Sequence, residues 1–194
     1  MCSRFELNSD ARAIAVRFGL RTPLPNLPGR VIRPTDPALV ITAQGPRLLR
    51  FGLTVEWESR PLINARAETA ATRATFKPLL RQRCLAPADA WIEWQKAASG
   101  HKPMWRLRPR EGGLFALAGL MRGEEFVVLT CAPASSIAFV HDRMPVVLAA
   151  EAEAAWLDPT RDFSAVSPLL VPYAAPLEAA PADDGAPRQP GLFD

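Results

Sequence analysis

The feature that most constrains the fold is a succession of short strand-like segments separated by turns and prolines. Six of them, "ALVITA", "RLLRFGL", "AWIEWQ", "KPMWRLRP", "LFALAGLM" and "EFVVLTCA", are rich in aliphatic, β-branched or aromatic residues. Helical patterns are few and do not alternate regularly with the strands, as they would in a parallel α/β sheet. The pattern predicts an α+β fold with a curled, mainly antiparallel sheet.

Three segments have a helical pattern. "DARAIAVRFGL" spaces its apolar residues as on a helix face, with Asp10 as the N-cap. "AETAATRATFKPLLRQ" has helical propensity, with an interruption or kink at Pro78, and "AEAAWLD" forms a short helix that Pro159 ends. After Val171, Pro, Ala and Asp dominate without an apolar period, so we expect one domain over residues 1–170 and a disordered tail over 171–194.

Length and composition exclude several classes of protein. The chain has 194 residues, a net charge of +3 and a pI near 9.0, which permits a polyanionic partner without establishing one. It contains no apolar run near the ~18 residues of a membrane span and no secretory signal pattern. We therefore expect a cytoplasmic protein that has no contact with a membrane.

The cysteines and histidines indicate neither disulfides nor a metal. Cys2, Cys84 and Cys131 form an odd set without metal-ligand spacing, and only His101 and His141 accompany them. Cys84 and Cys131 lie in apolar strand contexts typical of small core residues. We expect no metal and no cofactor.

Cys2 stands directly behind the initiator methionine, in "MCSRFEL". Because its side chain is small, removal of Met1 is expected, and the mature chain would begin with a free α-amine and a thiol on adjacent carbons. No other residue offers that pair of nucleophiles. The alternative is a buried cysteine at the start of a strand, without chemical function.

"INARAET" places polar residues at period two, at Asn64, Arg66 and Glu68. If the segment is extended, these three side chains point to one side. The alternative is a half-exposed strand that leads into a helix, with Glu68 in the first helical turn.

Two further stretches carry candidate acid–base groups. In "WIEWQ", Glu93 lies among indoles, either at a water-facing edge or in a dry cleft where it could exchange protons. In "HDRMPVVL", His141 precedes Arg143 at the start of an apolar strand, which suits proton transfer beside a bound anion. A solvated or structural role is the alternative for both.

These stretches occur together and in one order: Cys behind Met followed by "RF", then "INARAET", "PADAWIEW", "FALAGL" and "HDRMPVVL". The chain thereby resembles the SRAP family, the SOS-response-associated peptidases, over Cys2 to about Leu157. The resemblance implies a single α+β domain with a barrel-like core and a positively charged DNA cleft. It also implies a bacterial protein that senses abasic sites in single-stranded DNA and captures them covalently.

The resemblance also implies the chemistry of capture. The mature amine of Cys2 would condense with the open-chain aldehyde of the abasic sugar, and its thiol would close a thiazolidine. Asn64 resembles the residue that orients the N-terminus, Glu93 the acid–base group, and His141 the residue that moves protons at the sugar hydroxyl. The residues expected at the DNA are Arg66, Arg143, Trp57 and Arg4.

Two other functions remain open at the level of sequence. One is a cysteine peptidase or amidase that uses Cys2 as the nucleophile, with its amine or His141 as base and Asn64 as oxyanion donor. The other is a binder of single-stranded DNA without covalent chemistry. Retention of Cys2, Asn64, Glu93 and His141 together disfavours the binder.

The last residues, "RQPGLFD", carry a Gln-x-x-Leu-Phe pattern at Gln189, Leu192 and Phe193. It resembles the peptide by which bacterial repair proteins dock on the replication sliding clamp, where Leu and Phe would fill an apolar pocket. The alternative is a chance match or a fold-back onto the domain. We expect a monomer that is tethered to the clamp by a flexible spacer.

Overall fold

Short strands make up most of the structure, a computed structural model that describes residues 2–27, 30–95 and 102–183. The strands are β1 (Arg4–Glu6), β2 (Val31–Ile32), β3 (Pro37–Thr42), β4 (Gly45–Phe51), β5 (Leu53–Val55), β6 (Glu58–Leu62), β7 (Asn64–Arg66), β8 (Arg83–Ala88), β9 (Ala90–Trp94), β10 (Met104–Pro109), β11 (Phe115–Arg122), β12 (Glu125–Cys131), β13 (Met144–Pro145), β14 (Val147–Leu148) and β15 (Leu177–Pro181). The α-helices are α1 (Ala11–Arg17), α2 (Ala67–Ala70), α3 (Ala150–Leu157) and α4 (Phe163–Val166).

Five strands close into a barrel in the order β12, β4, β3, β8, β11 and back to β12. All of these pairs are antiparallel except β4 with β12. Gly119 of β11 permits close packing, because a Cβ there would lie 2.8 Å from the Cys84 sulfur and 3.0 Å from the Val127 carbonyl oxygen. The barrel therefore provides the closed core of the domain.

A second sheet, in the order β15, β10, β9, β1, β2, packs against the barrel. Its inner face buries Phe5 and Trp91. Phe5 packs edge-on to Phe51 with 5.4 Å between ring centroids, and Trp91 packs edge-on to Phe115 at 6.0 Å. These contacts fix the N-terminal strand against the barrel wall.

A hairpin interrupts one wall of the barrel. β4 and β7 both run parallel to β12, and the β5–β6 hairpin projects between them. The Gly52 amide donates to the Phe126 carbonyl at 2.8 Å, and the Val128 amide donates to the Ile63 carbonyl at 3.0 Å. The hairpin is thus anchored at both ends on β12, and its second strand, β6, ends two residues before Asn64.

The predicted fold class and most predicted elements are confirmed. All six predicted strand segments are strands, Asp10 caps α1 by accepting from the Ala13 amide at 2.8 Å, and α3 ends before Pro159. The chain is a single domain with a mainly β core and few helices.

The long helix predicted after residue 66 is wrong. Only Ala67–Ala70 is α-helical, and the chain then turns before a single 3₁₀ turn at Lys77–Leu79. Threonines compete with helical hydrogen bonding here, since the Thr72 hydroxyl donates to the Thr69 carbonyl at 3.1 Å. Pro78 then starts the new turn rather than kinking a continuing helix.

The predicted start of the disordered tail is also wrong. β15 lies within the segment expected to be disordered and pairs with β10 from Trp105 to Pro109. Leu177 is buried at 3% exposure, and main-chain pairing supplies the order that the local composition does not indicate. The proposed clamp motif at Gln189, Leu192 and Phe193 lies outside the described residues.

The described part of the chain has no helix long and apolar enough to cross a membrane. Among the same residues, no group of three or more His, Cys, Asp or Glu side chains is arranged to hold a metal ion. The cysteines Cys2, Cys84 and Cys131 are buried free thiols.

Candidate active site

Cys2 lies just before β1 and is completely buried. The side-chain amide of Asn64, the first residue of β7, donates to the Cys2 carbonyl oxygen at 2.9 Å. The Cys2 thiol lies 3.6 Å from the Arg4 carbonyl, to which it donates. A side chain 62 residues away therefore fixes the backbone of Cys2.

The environment of Cys2 keeps its thiol protonated. Burial is the main reason that the pKa of the Cys2 thiol is raised to about 12, and the negative charge of Glu93 is the second. At neutral pH the sulfur therefore carries its proton, and a base must accept that proton before the sulfur can act as a thiolate.

Glu93 lies on the inner face of β9 with 4% exposure. It shares that face with Trp91, two residues earlier, and is the register partner of Trp105 on β10. One carboxylate oxygen accepts from the Trp94 amide at 3.2 Å. Of the two environments predicted for Glu93, its burial excludes the water-facing edge.

Trp105 connects this face to the loop that carries His141. Its indole nitrogen donates to the Gln95 side-chain oxygen at 3.1 Å. Phe139 packs edge-on against Trp105 with 5.2 Å between centroids and remains 51% exposed. The loop two residues before His141 is thereby held beside the strand that pairs with Glu93.

His141 is placed to hold or release a proton at Nδ1. This nitrogen lies 2.7 Å from a carboxylate oxygen of Asp142 and also 3.1 Å from the backbone amide of Arg143. The contact with Asp142 favours a protonated Nδ1, whereas accepting from the Arg143 amide requires an unprotonated one. The two neighbours therefore favour opposite protonation states of Nδ1.

Arg143 joins the β12–β13 region to α2. Its guanidinium donates to both carboxylate oxygens of Glu68, at 3.0 and 2.8 Å, and to the carbonyl oxygen of buried Thr130 at 2.6 Å. Arg66 is exposed on β7 and shares a face with Asn64, while Ala65 points into the core. Asn64 and Arg66 lie on one side of the strand as predicted, but Glu68 lies in the first turn of α2, which is the alternative given for this stretch.

Trp57 and Arg4 lie elsewhere. Trp57 is 68% exposed at the tip of the β5–β6 hairpin. Arg4 alternates with inward-facing Phe5 and so lies on the outer face of its sheet, where its guanidinium stands 5.0 Å from the Trp94 ring centroid. Arg4 and Glu93 therefore belong to opposite faces.

An ionic cluster holds the base of the hairpin. Glu125 accepts from the Thr54 hydroxyl at 2.7 Å and from Arg50 at 2.6 Å, and also from Arg122 at 3.1 Å. Burial favours the neutral carboxyl, but the hydrogen bonds from Thr54, Arg50 and Arg122 outweigh it and lower the pKa of Glu125 to about 2. The hairpin that carries Trp57 is tied to β12 through this carboxylate.

The structure thus brings buried Cys2 and Glu93 together with half-buried Asn64, with His141 and Arg143 on a neighbouring loop. Sequence reasoning missed Thr130, which anchors Arg143, and Gln95, which orients Trp105. No local signal could have revealed Thr130, because threonine is an ordinary strand residue and "EFVVLTCA" reads as a strand throughout.

Comparison with known proteins defines the class. The family model described as "SOS response associated peptidase (SRAP)" matches residues 1–185, so the chain belongs to the SRAP family. Abasic site processing protein YoqW of Bacillus subtilis (strain 168) is 35% identical over 198 residues, covering 90% of this chain and 88% of that protein. Abasic site processing protein YedK of Escherichia coli (strain K12) is 38% identical over 109 residues, covering 52% and 49%.

Solved structures show the same fold. A protein from Bacteroides thetaiotaomicron superposes with a TM-score of 0.82 at 20% identity, covering 94% of this chain and 93% of that one. A protein from Bordetella bronchiseptica superposes with a TM-score of 0.80 at 24% identity, covering 94% and 100%.

Proposed function

We propose that this chain captures abasic sites in single-stranded DNA through a thiazolidine formed by Cys2 after removal of Met1. The observation that carries the proposal is the group of Cys2, Asn64 and Glu93, in which the amide of Asn64 holds the Cys2 backbone beside a buried carboxyl. The names of the relatives YoqW and YedK support abasic-site processing as the general activity.

The reaction balances without an oxidant or a cofactor. The α-amine nitrogen attacks the aldehyde carbon of the open-chain sugar, and loss of one water leaves an imine. The sulfur then bonds to the imine carbon, while the thiol proton is transferred to the nitrogen. The second bond closes within one residue, so its effective molarity is high and hydrolysis of the imine competes poorly.

Each polar residue of the group has a task in this scheme. Glu93 accepts the thiol proton and delivers it to nitrogen, because a thiol with a raised pKa does not ionise unaided. Asn64 fixes the backbone of Cys2, and so the direction of its amine. His141, whose Nδ1 lies between the Asp142 carboxylate and the Arg143 amide, moves a proton at the sugar hydroxyl during ring opening.

Arg66 and Arg143 bind the phosphates that flank the lesion in this proposal, and Trp57 stacks on a neighbouring base. Both arginines border the β7–β12 seam that begins at Asn64. Arg4 contributes positive charge from the outer face of the N-terminal sheet, beside Trp94.

Incubation with a uracil-excised single-stranded oligonucleotide, followed by a denaturing gel, tests the proposal. The wild-type protein is expected to form a heat-stable adduct, and Cys2→Ala is expected to form none. Cys84→Ala removes another buried free thiol and serves as the matched control, with the adduct retained. An undiminished adduct with Cys2→Ala would reject the mechanism.

A peptidase that used Cys2 as a resting thiolate is disfavoured by the same chemistry. Such nucleophiles depend on a lowered thiol pKa, whereas burial and Glu93 raise the pKa of Cys2. Binding of abasic and intact strands without any adduct would instead favour a non-covalent binder.

A further inference from the structure

Arg143 already holds an anion in the free protein. Its Nη1 and Nη2 donate to the two carboxylate oxygens of Glu68 at 3.0 and 2.8 Å, a bidentate arrangement equally suited to a phosphate. Glu68 is more open to solvent than its partner, with a side chain 51% exposed against 15% for Arg143. The carboxylate is therefore the partner that can leave.

The position of Arg143 does not depend on Glu68. Its Nη2 also donates to the Thr130 carbonyl at 2.6 Å, and its Nε donates to the Thr130 hydroxyl at 3.4 Å. Thr130 is completely buried in β12, and Met144, which follows Arg143, pairs with Cys131. Removal of the Glu68 charge should leave the guanidinium in place.

Glu68 is charged at neutral pH and reduces the positive charge of this region. The hydrogen bond from Arg143 is the main reason that its pKa is lowered, and burial opposes the effect. The charges of Arg143 and of nearby Arg66 lower it further. This one carboxylate thus offsets one of the two positive charges of the arginines expected at the DNA.

We propose that Glu68 is a specificity-determining residue that occupies the phosphate-binding edge of Arg143 until a DNA phosphate displaces it. The inference rests on the proposed function, because it takes Arg143 to be a phosphate contact. Glu68 thereby weakens reversible binding to all single-stranded DNA. Only a strand with an abasic aldehyde recovers the loss, through the covalent bond to Cys2, so the protein spends less time on undamaged DNA.

Equilibrium binding of Glu68→Gln to two fluorescent single strands tests this inference. One strand is intact, and the other carries a tetrahydrofuran abasic analogue, which has no aldehyde and cannot be crosslinked. Glu68→Gln is expected to bind both about two- to fivefold more tightly than the wild type, as for loss of a partly exposed ion pair. The slope of log K against log salt should change by less than the roughly 0.7 expected for one phosphate contact, because a phosphate reaches Arg143 in both proteins.

Glu178→Gln is the matched control, since Glu178 is a similarly exposed carboxylate bonded to an arginine, Arg108, on the β10–β15 pair. It makes the same change in net charge away from the candidate site and should leave affinity and slope unchanged. In an Arg143→Gln background, Glu68→Gln should give no gain.

Three results would overturn the inference. Weaker or unchanged binding by Glu68→Gln would show that Glu68 positions Arg143 or has no part in binding. An equal gain with Glu178→Gln, or a gain that persists without Arg143, would assign the effect to net charge alone. Adduct formation by the wild-type protein is measured separately, so failure of the covalent mechanism is distinguishable from failure of this inference.

Discussion

At the scale of single residues, the carboxylate of Glu93 has two opposite effects on the reactivity of the Cys2 thiol. The charge of Glu93 raises the thiol pKa, yet the proposed reaction requires a base to accept the thiol proton. These two effects predict opposite consequences when the carboxylate is removed, and the same variant can measure both.

Glu93→Gln should increase alkylation of Cys2 and decrease capture of DNA. Loss of the negative charge lowers the pKa of the thiol, so a larger fraction is thiolate at a given pH and iodoacetamide reacts faster. Adduct formation should slow by roughly 10²-fold or more, the usual contribution of a general acid–base group. Mass spectrometry of the N-terminal peptide gives the first rate and a gel time course the second; two rates that change in the same direction would contradict the assigned role.

Asn64→Ala should slow adduct formation while the protein stays folded. The variant loses the 2.9 Å hydrogen bond to the Cys2 carbonyl, and one such bond contributes about 1 kcal/mol, or roughly fivefold in rate if it acts only on orientation. Asn8→Ala, at an exposed asparagine, is the control. If Asn64→Ala forms the adduct at the wild-type rate, the hydrogen bond from Asn64 to Cys2 has only a structural role.

The sequence predicted these residues where local spacing was sufficient. Period two correctly placed Asn64 and Arg66 on one side of a strand. The ion pair of Glu68 with Arg143 joins residues 75 positions apart, and it arises only when β7 and β13 both pair with β12. Such a contact depends on topology and has no local pattern.

At the scale of elements, the β5–β6 hairpin depends on the carboxylate of Glu125. It accepts hydrogen bonds from the side chains of Thr54, Arg50 and Arg122 and from the Thr54 backbone amide. Because Trp57 is at the tip of this hairpin, the cluster at its base sets the position of the residue that we propose to stack on a base.

Glu125→Gln should destabilise the domain by about 1.5–3 kcal/mol, the range for hydrogen bonds to a charged group. The folded-state pKa of about 2 lies below the ordinary value of 4.5, so this stability is present above about pH 4.5 and is lost as pH falls towards 2. Urea unfolding across this window should show a shallower acid dependence for the variant. Glu124→Gln, at the exposed neighbouring glutamate, should differ from the wild type by less than about 0.5 kcal/mol; equal losses in both variants would contradict the role of the cluster.

β15 was missed because its order comes from a partner strand and not from its own composition. Leu177→Ala should destabilise the domain by about 2–4 kcal/mol, as expected for a buried leucine. Val171→Ala, at a 53% exposed position in the same C-terminal segment, should change stability by less than about 0.5 kcal/mol. Both variants are measured by thermal or urea unfolding. Equal small effects would indicate that the segment is part of a disordered tail, as the sequence predicted.

At the scale of the whole molecule, β12 organises both the fold and the site. It closes the barrel between β4 and β11, pairs with β7 beyond the hairpin, and pairs with β13 at its far end. Asn64, Arg66 and the loop that carries His141 and Arg143 are thereby attached to one buried strand, whereas Glu93 lies on β9 of the second sheet. A rigid scaffold of this kind suits a reaction in which two nucleophiles on one residue must meet one carbon.

The measurement that tests the account most directly is mass analysis of the peptide crosslinked to abasic single-stranded DNA. The proposed mechanism predicts a peptide that begins at Cys2 and exceeds the mass of the free peptide by that of the abasic sugar fragment less one water. It has neither a free primary amine nor an alkylatable thiol. A crosslinked peptide that retains Met1, or one whose Cys2 thiol still reacts with iodoacetamide, would contradict it.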